Sequence, residues 1–309
     1  MRRFFRLDMD ALRSSPSAVA RVLDARQAHF NRRNRLNYFA IVLSMIAMFF
    51  GMFWLLWILW ETVSQGVAGL SIAMLTENTP PPNEPIGVGG LGNTILGSAM
   101  MVALATFIGA PIGILSGIYL AEYDPRGKIA GIVRFVNDLL LSAPSIIIGL
   151  FVYEIMVVTL KEFSGWAGAV ALSLIVIPIV IRTTENMLAL IPSSLREAAY
   201  ALGTPKWKVI TRITLTAARA GVLTGILLAI ARIAGETAPL LFTALNNQFW
   251  KTGLSGPTPN LPVTILQFAM SPYENWQQIA WCGVFLITFA VLALNILARF
   301  LTRGVQASN

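Results

Sequence analysis

An arginine and a glutamate four residues apart in apolar sequence are the side chains best suited to chemistry. Arg232 lies inside a long apolar segment, and Glu236 follows it. In a helix this spacing places both side chains on one face, where they can form an ion pair. A guanidinium presents a fork of donors that matches an oxyanion, and a nearby carboxylate can help to hold or release that anion. The pair therefore predicts either an anion-binding position or a purely structural ion pair.

A second pair, Arg182 and Glu185, is separated by three residues near the end of another apolar segment. It costs free energy to hold ionisable side chains in such segments, away from water, so by default they mark functional positions. Arg182 could instead extend its charged end to lipid headgroups while its methylene groups stay in apolar surroundings. Both interpretations stay open for this pair.

The rest of the sequence offers little for covalent chemistry. The chain has one cysteine, Cys282, and one histidine, His29, which excludes an internal disulfide and a histidine-based metal site. Neither H-E-x-x-H nor G-x-S-x-G occurs, and there is no G-x-x-x-x-G-K-[ST] phosphate loop. We therefore expect no catalytic residue, no metal site, and no cofactor or nucleotide bound by this chain.

Composition defines the class of protein. Of 309 residues, 56% are hydrophobic and 12% are charged, about half the charge of an ordinary soluble domain. The mean hydropathy of +0.68 agrees with these fractions. A soluble domain and a disordered chain are excluded, and a protein that crosses a membrane several times is indicated.

The net charge of +8 has its source near the N-terminus. Nine arginines precede the first long apolar segment, within residues 1–37, which we call the arginine-rich arm. The apolar segment that follows is too long for a signal peptide, and no small-residue cleavage site closes it. The arm is therefore predicted to be a cytosolic extension beside the membrane, and its charge needs no nucleic acid to explain it.

Six apolar segments approach or exceed the roughly 20 residues that a helix needs to cross a bilayer. The predicted fold class is all-α: a polytopic membrane protein with a bundle of six transmembrane helices. They form one domain, residues 38–303, which is followed by a short tail, residues 304–309. The predicted spans are Tyr38–Trp60, Thr94–Tyr119, Leu139–Leu160, Trp166–Ile181, Ala217–Leu245 and Ile279–Phe300.

The placement of lysine and arginine predicts the orientation. Of 23 such residues, only Lys161 and Lys251 fall in the loops that lie outside when the N-terminus is inside. Both termini are therefore predicted to be cytoplasmic. The second long outer loop, residues 246–278, contains a short apolar stretch, Leu261–Ala269, which predicts a partly inserted or interfacial helix.

Small residues and prolines mark where the spans should pack or bend. Small residues let helix backbones approach closely in lipid, and GxxxG steps are formed by Gly109, Gly113, Gly117, Gly221 and Gly225. Prolines within spans should kink or break them, and they are Pro111, Pro144, Pro178 and Pro239. Such breaks persist at membrane depth where protein or a water-lined cavity satisfies the freed backbone groups, which is compatible with a pathway.

The inner loop, residues 192–215, is the most informative segment. Ser194 and Glu197 have the spacing of a capping box, which starts a helix. Gly203 suits the left-handed residue that ends it, and Thr204 followed by Pro205 suits the start of a second helix. The loop is therefore predicted to be a cytosolic helix–turn–helix. A helix of this shape can enter a groove on another protein, or the hairpin can simply lie on the bilayer.

This loop resembles the EAA loop of the permease subunits of ABC importers. In that pattern E-A-A is followed after three residues by G, and after nine more residues by I-x-L-P. The matching positions of this chain are Glu197, Ala198, Ala199, Gly203, Ile213 and Leu215. The chain departs from the pattern only at Thr216, where proline is expected. The resemblance implies a coupling helix that docks on an ATP-binding subunit.

Other segments resemble the permeases of high-affinity phosphate importers in particular, and the likeness runs from about Gly89 to the C-terminus. These segments are Gly117–Tyr123, Ile181–Leu188, Glu197–Lys208, Ala229–Ala244 and Leu261–Thr264. The resemblance implies a phosphate pathway formed with a second permease subunit, with candidate residues Arg232, Glu236, Arg182 and Glu185.

It further implies an ATP-binding subunit in two copies that carries ATP and Mg, and an extracytoplasmic phosphate-binding protein. The chain would lie in the lipid of a bacterial cytoplasmic membrane. Two alternatives remain: a permease for another oxyanion such as sulfate or molybdate, and a secondary transporter or channel that acts alone and would not need the coupling loop.

Overall fold

The computed structural model describes the backbone of residues 16–306, and it describes side chains at residues 27, 29–297 and 300. Residues 1–15 of the arginine-rich arm and residues 307–309 of the tail lie outside this part of the chain. Every regular element within residues 16–306 is helical, which confirms the all-α prediction.

The helices follow one another in a simple order. Five of them, α1, α3, α6, α8 and α11, are long and apolar enough to cross a membrane, and α4 with α5 forms a sixth, broken span. A π turn forms the last part of α3 and of α5, and another lies within α8. The bounds are α1 Pro16–Ala68, α2 Ile72–Thr76, α3 Gly92–Tyr123, α4 Lys128–Ser142, α5 Ser145–Val158, α6 Gly165–Ala189, α7 Ser193–Ala201, α8 Lys206–Ile233, α9 Ala238–Thr243, α10 Leu261–Ala269 and α11 Glu274–Gln306.

The described residues up to Glu61 form a unit of their own, which is part of one continuous helix. At 1.5 Å per residue the 53 residues of α1 are about 80 Å long, far more than the roughly 30 Å of a hydrocarbon core. The helix therefore extends well beyond the predicted span Tyr38–Trp60, so the described part of the arginine-rich arm is helical.

The third span is not the single helix, Leu139–Leu160, that the apolar pattern predicts. Helix α4 begins at Lys128, and α5 follows it with a bend of 106°. The bend lies at Ala143 and Pro144, where Ala143 has an extended conformation, φ −67° and ψ 133°. Proline disfavours helical geometry in the preceding residue and lacks a backbone donor, so the break is a local consequence of Pro144.

The fifth span, predicted as Ala217–Leu245, differs at both ends. Helix α8 starts at Lys206 and stops at Ile233, and α9 begins after a break of four residues. Pro239 lies in the first turn of α9, where its missing N–H costs no hydrogen bond. Pro111 and Pro178, in contrast, remain inside α3 and α6 without ending those helices.

Helix α6 is the most buried of the apolar spans, because small residues bring two helices close to it. On α3, Gly109, Gly113 and Gly117 face Val176, Val180 and Thr184 of α6. A Cβ atom added to Gly113 would lie 2.6 Å from the Cβ of Val180, closer than real contacts allow. On α8, Gly221 and Gly225 face Met187 and Thr183 in the same way. The GxxxG steps of the sequence are therefore helix-packing contacts.

The short apolar stretch Leu261–Ala269 forms a helix with those bounds, as the sequence predicts. Asn260 precedes it and accepts a hydrogen bond from the N–H of Val263 at 3.1 Å. The same side chain donates to the carbonyl of Leu245 at 2.7 Å, and it is fully buried. One amide thus starts α10 and ties it to the segment after α9.

Candidate functional site

Arg232 lies in the last turn of α8, and Glu236 lies in the break beyond that helix. The predicted pair does meet: Arg232 Nε is 3.8 Å from Glu236 Oε1. This separation is longer than a hydrogen bond, and the Arg232 side chain is 56% exposed. The guanidinium therefore keeps its donors available for another partner.

A small pocket adjoins Arg232, where residues beside the α4–α5 bend, Pro178 of α6 and the last turn of α8 meet. Among the residues that line the pocket, Arg232 supplies the only charge. The lining is Leu140, Leu141, Ala143, Ser145, Ile148, Ile175, Pro178, Ile179 and Arg232. Apart from Arg232 and Ser145 the lining is apolar, and the pocket, at about 10 Å³, has room for about one water molecule. An anion at Arg232 would therefore lie against the exposed face of the guanidinium rather than inside this pocket.

The predicted pairing of Arg182 with Glu185 is wrong. Glu185 instead accepts a hydrogen bond from Arg134 of α4, with Nε and Oε1 2.7 Å apart. Arg182 is exposed, and within the described residues no hydrogen bond or ion pair involves it. Sequence spacing points to partners on the same helix, whereas α4 packs alongside α6 and supplies a partner from another helix.

Arg134 is a residue that the sequence argument treated only as a topological charge. Besides Glu185 it donates to the carbonyl of Leu120 at 3.1 Å and to that of Pro125 at 2.8 Å. The other carboxylate oxygen of Glu185, Oε2, is buried and has no hydrogen-bond partner within the described residues. The Glu185 charge therefore depends on Arg134.

The loop between α6 and α8 has the predicted shape but not all of the predicted capping. Gly203 has φ +75°, the left-handed geometry that glycine adopts most cheaply. The N–H of Gly203 donates to the carbonyl of Tyr200, and that of Thr204 donates to the carbonyl of Ala199. These two bonds define a Schellman motif, which closes α7 and reverses the chain.

The capping box of Ser194 and Glu197 does not form. Helix α7 begins two residues earlier than the box requires, with Pro192 rather than Ser194 at the N-cap position, and no side chain caps it. The following helix likewise begins after Pro205 rather than with a Thr204 cap. Pro192 and Pro205 occupy the two N-cap positions with extended geometry, ψ 141° and 149°, and proline has no side-chain acceptor with which to cap a helix.

The six positions of the EAA pattern divide between surface and interior. Glu197, Ala198 and Gly203 are exposed, whereas Ala199 is buried. Ile213 and Leu215 are half-buried, and Leu215 packs against a cluster that includes Leu188 and Val222. Two large apolar side chains near these positions are also exposed, Leu202 at 86% and Trp207 at 58%. The loop thus presents an apolar surface at this end of the bundle.

Arg196 is a further residue that the sequence argument did not single out. It lies in the first turn of α7 and forms an ion pair with Glu122, at the end of α3, with Nη2 and Oε1 2.7 Å apart. It also donates to the carbonyls of Leu188 and Ile191. No local spacing could have revealed this contact, because Glu122 is 74 residues away in sequence.

Comparison with known proteins identifies the class. Residues 109–308 match the family described as "Binding-protein-dependent transport system inner membrane component". In three dimensions the chain resembles an inward-facing structure of the MetNI methionine ABC transporter, with a TM-score of 0.56 and 20% identity. That likeness covers 70% of this chain and 94% of the other, and it concerns the fold. The chain belongs to this family of multi-pass inner membrane transport components.

Relatives of this chain within the family include permeases named PstA. A phosphate transport system permease protein PstA from Yersinia pestis is 60% identical over 91% of this chain and 94% of its own length. The PstA of Pasteurella multocida is 55% identical over 88% and 96% of the two chains. A probable PstA from Methanocaldococcus jannaschii is 37% identical over 69% and 75%. The chain is therefore grouped with the PstA permeases.

Replacing Arg134 with methionine should destabilise the protein strongly, because the Glu185 carboxylate would stay buried without a partner. Breaking one side of such a pair costs about 3–5 kcal/mol, and we expect the lower end because Arg134 is partly exposed. Thermal denaturation of the purified protein in detergent would report the loss. Arg182→Met is the matched control and should change the midpoint little. Equal losses from both variants would contradict the pairing of Glu185 with Arg134.

Proposed function

We propose that this chain is a transmembrane permease subunit of an ATP-driven phosphate importer. The observation that carries the proposal is the 60% identity to a phosphate transport permease over nearly the whole of both chains. Together with a second permease subunit, the chain would form the pathway by which inorganic phosphate enters the cytoplasm. It would perform no covalent chemistry itself.

Arg232 is the residue best placed to contact phosphate on this pathway. It follows Arg219 by 13 residues, about 20 Å along α8, and so lies well inside the span. Its side chain is half exposed in the isolated chain and its bond to Glu236 is long, so a bidentate contact with a phosphate oxyanion needs no prior rearrangement. Glu236 repels the anion and favours its release. Glu185 is already bound to Arg134 and therefore has a structural role, whereas Arg182 is exposed and has no partner within the described residues.

Coupling to ATP would occur at the loop between α6 and α8. Its exposed Leu202 and Trp207 suit insertion of the short helix α7 into an apolar groove on an ATP-binding subunit. The sequence has no phosphate loop, so ATP and Mg would be bound by that separate subunit, in two copies. An extracytoplasmic binding protein would deliver phosphate to the opposite end.

The distribution of lysine and arginine between the two ends of the bundle predicts its orientation. The end that carries α7 also carries Arg196, Lys206, Lys208 and Arg212, whereas the opposite loops hold Lys161 and Lys251. Cytoplasmic loops are enriched in such residues, so α7 and both termini would be cytoplasmic.

The rival functions have less support. A secondary transporter or channel acting alone is overturned by membership of a binding-protein-dependent family. A permease for sulfate or molybdate shares that family, but the relatives over most of this chain are named for phosphate. Competition between these anions in one assay separates the two.

Membrane vesicles that contain the assembled importer should take up phosphate only with ATP and the binding protein, and Arg232→Gln should abolish that uptake. Glutamine keeps a side chain of similar reach but removes the charge and the forked donors. Radiolabelled phosphate uptake, normalised to the assembled complex, is the measurement, with sulfate and molybdate as competitors. Uptake of sulfate in preference to phosphate would refute the proposed substrate.

Glu236→Gln and the double variant with Arg232→Gln separate a pathway role from a structural one. If the pair were only structural, each single change would lower the amount of complex, and the double change would restore both assembly and uptake. We expect assembly to survive in all three variants and uptake to stay low in the double. Normal transport by the double variant would end the role of this pair in the pathway.

Thiol labelling tests the orientation. In a Cys282→Ser background, a cysteine at Ser255 should react in intact cells with a reagent that cannot cross the membrane, and one at Ser193 should not. Both positions are exposed in the structure, so neither result would reflect burial. Permeabilised cells supply the control, because both positions should then react. Labelling of Ser193 in intact cells would reverse the proposed topology.

A further inference from the structure

Arg196 makes an unusually complete set of contacts for a residue in a surface loop. Its Nε lies 3.1 Å from both carboxylate oxygens of Glu122, and its Nη2 lies 2.7 Å from one of them. Nη1 donates to the carbonyl of Ile191 at 2.6 Å, and Nη2 also donates to that of Leu188 at 2.8 Å. The planar guanidinium therefore fixes three separate points of the chain at once.

The three points belong to different parts of the bundle. Leu188 is in the last turn of α6, and its carbonyl also accepts a hydrogen bond from the N–H of Ile191 at 3.2 Å. Ile191 is in the connection to α7. Glu122 is in the π turn that ends α3, Tyr119–Tyr123. Because the Glu122 side chain is 4% exposed, its charge depends on Arg196 much as that of Glu185 depends on Arg134.

A second arginine holds the same π turn from the other side. Arg134 of α4 donates to the carbonyl of Leu120, within that turn, and to Glu185 of α6. The π turn is thus held between α7 and α4, through Arg196 on one side and Arg134 on the other. Helix α4 then leads to the bend, whose Ala143 and Ser145 line the pocket beside Arg232. Charge-assisted contacts therefore join the loop to the π turn and the π turn to α4, and the helix itself runs from Arg134 to the bend.

We propose that Arg196 is a positioning residue that, through Glu122, makes α7 and the end of α3 move as one body. Displacement of α7 would then be passed through the π turn and Arg134 to α4 and to the α4–α5 bend. A π turn suits this position, because such turns are local irregularities often found where a helix must adjust. The inference rests on the proposed function, in which an ATP-binding subunit moves α7.

The test uses Glu122→Gln in the assembled importer, reconstituted with the ATP-binding subunit, the second permease and the binding protein. The neutral amide keeps the shape of the side chain but weakens its hold on Arg196. We expect ATP hydrolysis to continue while the phosphate moved per ATP falls about tenfold, within the usual range of coupling between sites. Glu122→Asp, which retains the charge, should recover part of the ratio. Asp124→Asn, an exposed carboxylate two residues away, is the matched control and should leave the ratio unchanged.

A second readout does not depend on phosphate. With Cys282→Ser and Ser145→Cys, the rate of thiol labelling at the α4–α5 bend should change when ATP and vanadate are added. Glu122→Gln should remove that change, and Arg196→Lys, which offers one point of contact in place of a fork, should reduce it. The labelling experiment tests the role of Arg196 even if the wild-type complex moves no phosphate. Failure to move phosphate would refute only the proposed function.

Two results would overturn the inference. One is that Glu122→Gln leaves the phosphate moved per ATP unchanged, whatever the amount of assembled complex. A purely structural pair predicts this result, because its loss would lower only the amount of complex. The other is a nucleotide-dependent labelling change at Ser145→Cys that persists in Glu122→Gln.

Discussion

The close approach of α3 and α8 to α6 is the constraint on which the rest of the structure depends. In lipid the hydrophobic effect does not distinguish a neighbouring helix from an acyl chain, so contact must come from surfaces that fit. Glycines on α3 and α8 provide those surfaces, and an added Cβ at Gly113 would collide with Val180. Because α6 is fixed between these helices, its last turn is held where Arg196 can reach both α6 and the end of α3.

Three arginine–glutamate pairs illustrate how geometry separates structural charges from candidates for ligand binding. The pairs of Arg134 and Arg196 have atoms 2.7 Å apart, and both arginines also bind backbone carbonyls. The Arg232 pair is open at 3.8 Å, and its arginine is the most exposed of the three. A guanidinium whose donors are occupied must break existing hydrogen bonds before it can bind an anion, whereas a loosely paired guanidinium need not. This difference favours Arg232 as the contact for phosphate.

Local sequence patterns predicted several features that depend on a residue and its near neighbours, although the capping box of Ser194 and Glu197 does not form. The glycine steps, the left-handed Gly203 and the helix Leu261–Ala269 are of this kind. The pairing of Arg182 with Glu185 failed because the true partner, Arg134, comes from a helix that packs alongside. The prediction of a single helix for the third span was wrong, because the average hydropathy of a segment does not reveal that one proline bends the chain by 106°. The pathway and coupling roles need partner subunits, which one chain's sequence does not describe.

The π turn of α3 also constrains the number of residues between the glycine face of that helix and Glu122. A π turn accommodates one more residue than the α-helical turn it replaces, and each residue advances a helix by about 100°. Glu122 and the segment that follows are therefore out of phase with the glycine face of α3 by about one residue. Removing Leu120 or Ala121 would allow a regular helix but turn Glu122 away from Arg196. In this segment the number of residues matters more than the identity of most of them, so substitutions should accumulate there more readily in evolution than insertions or deletions.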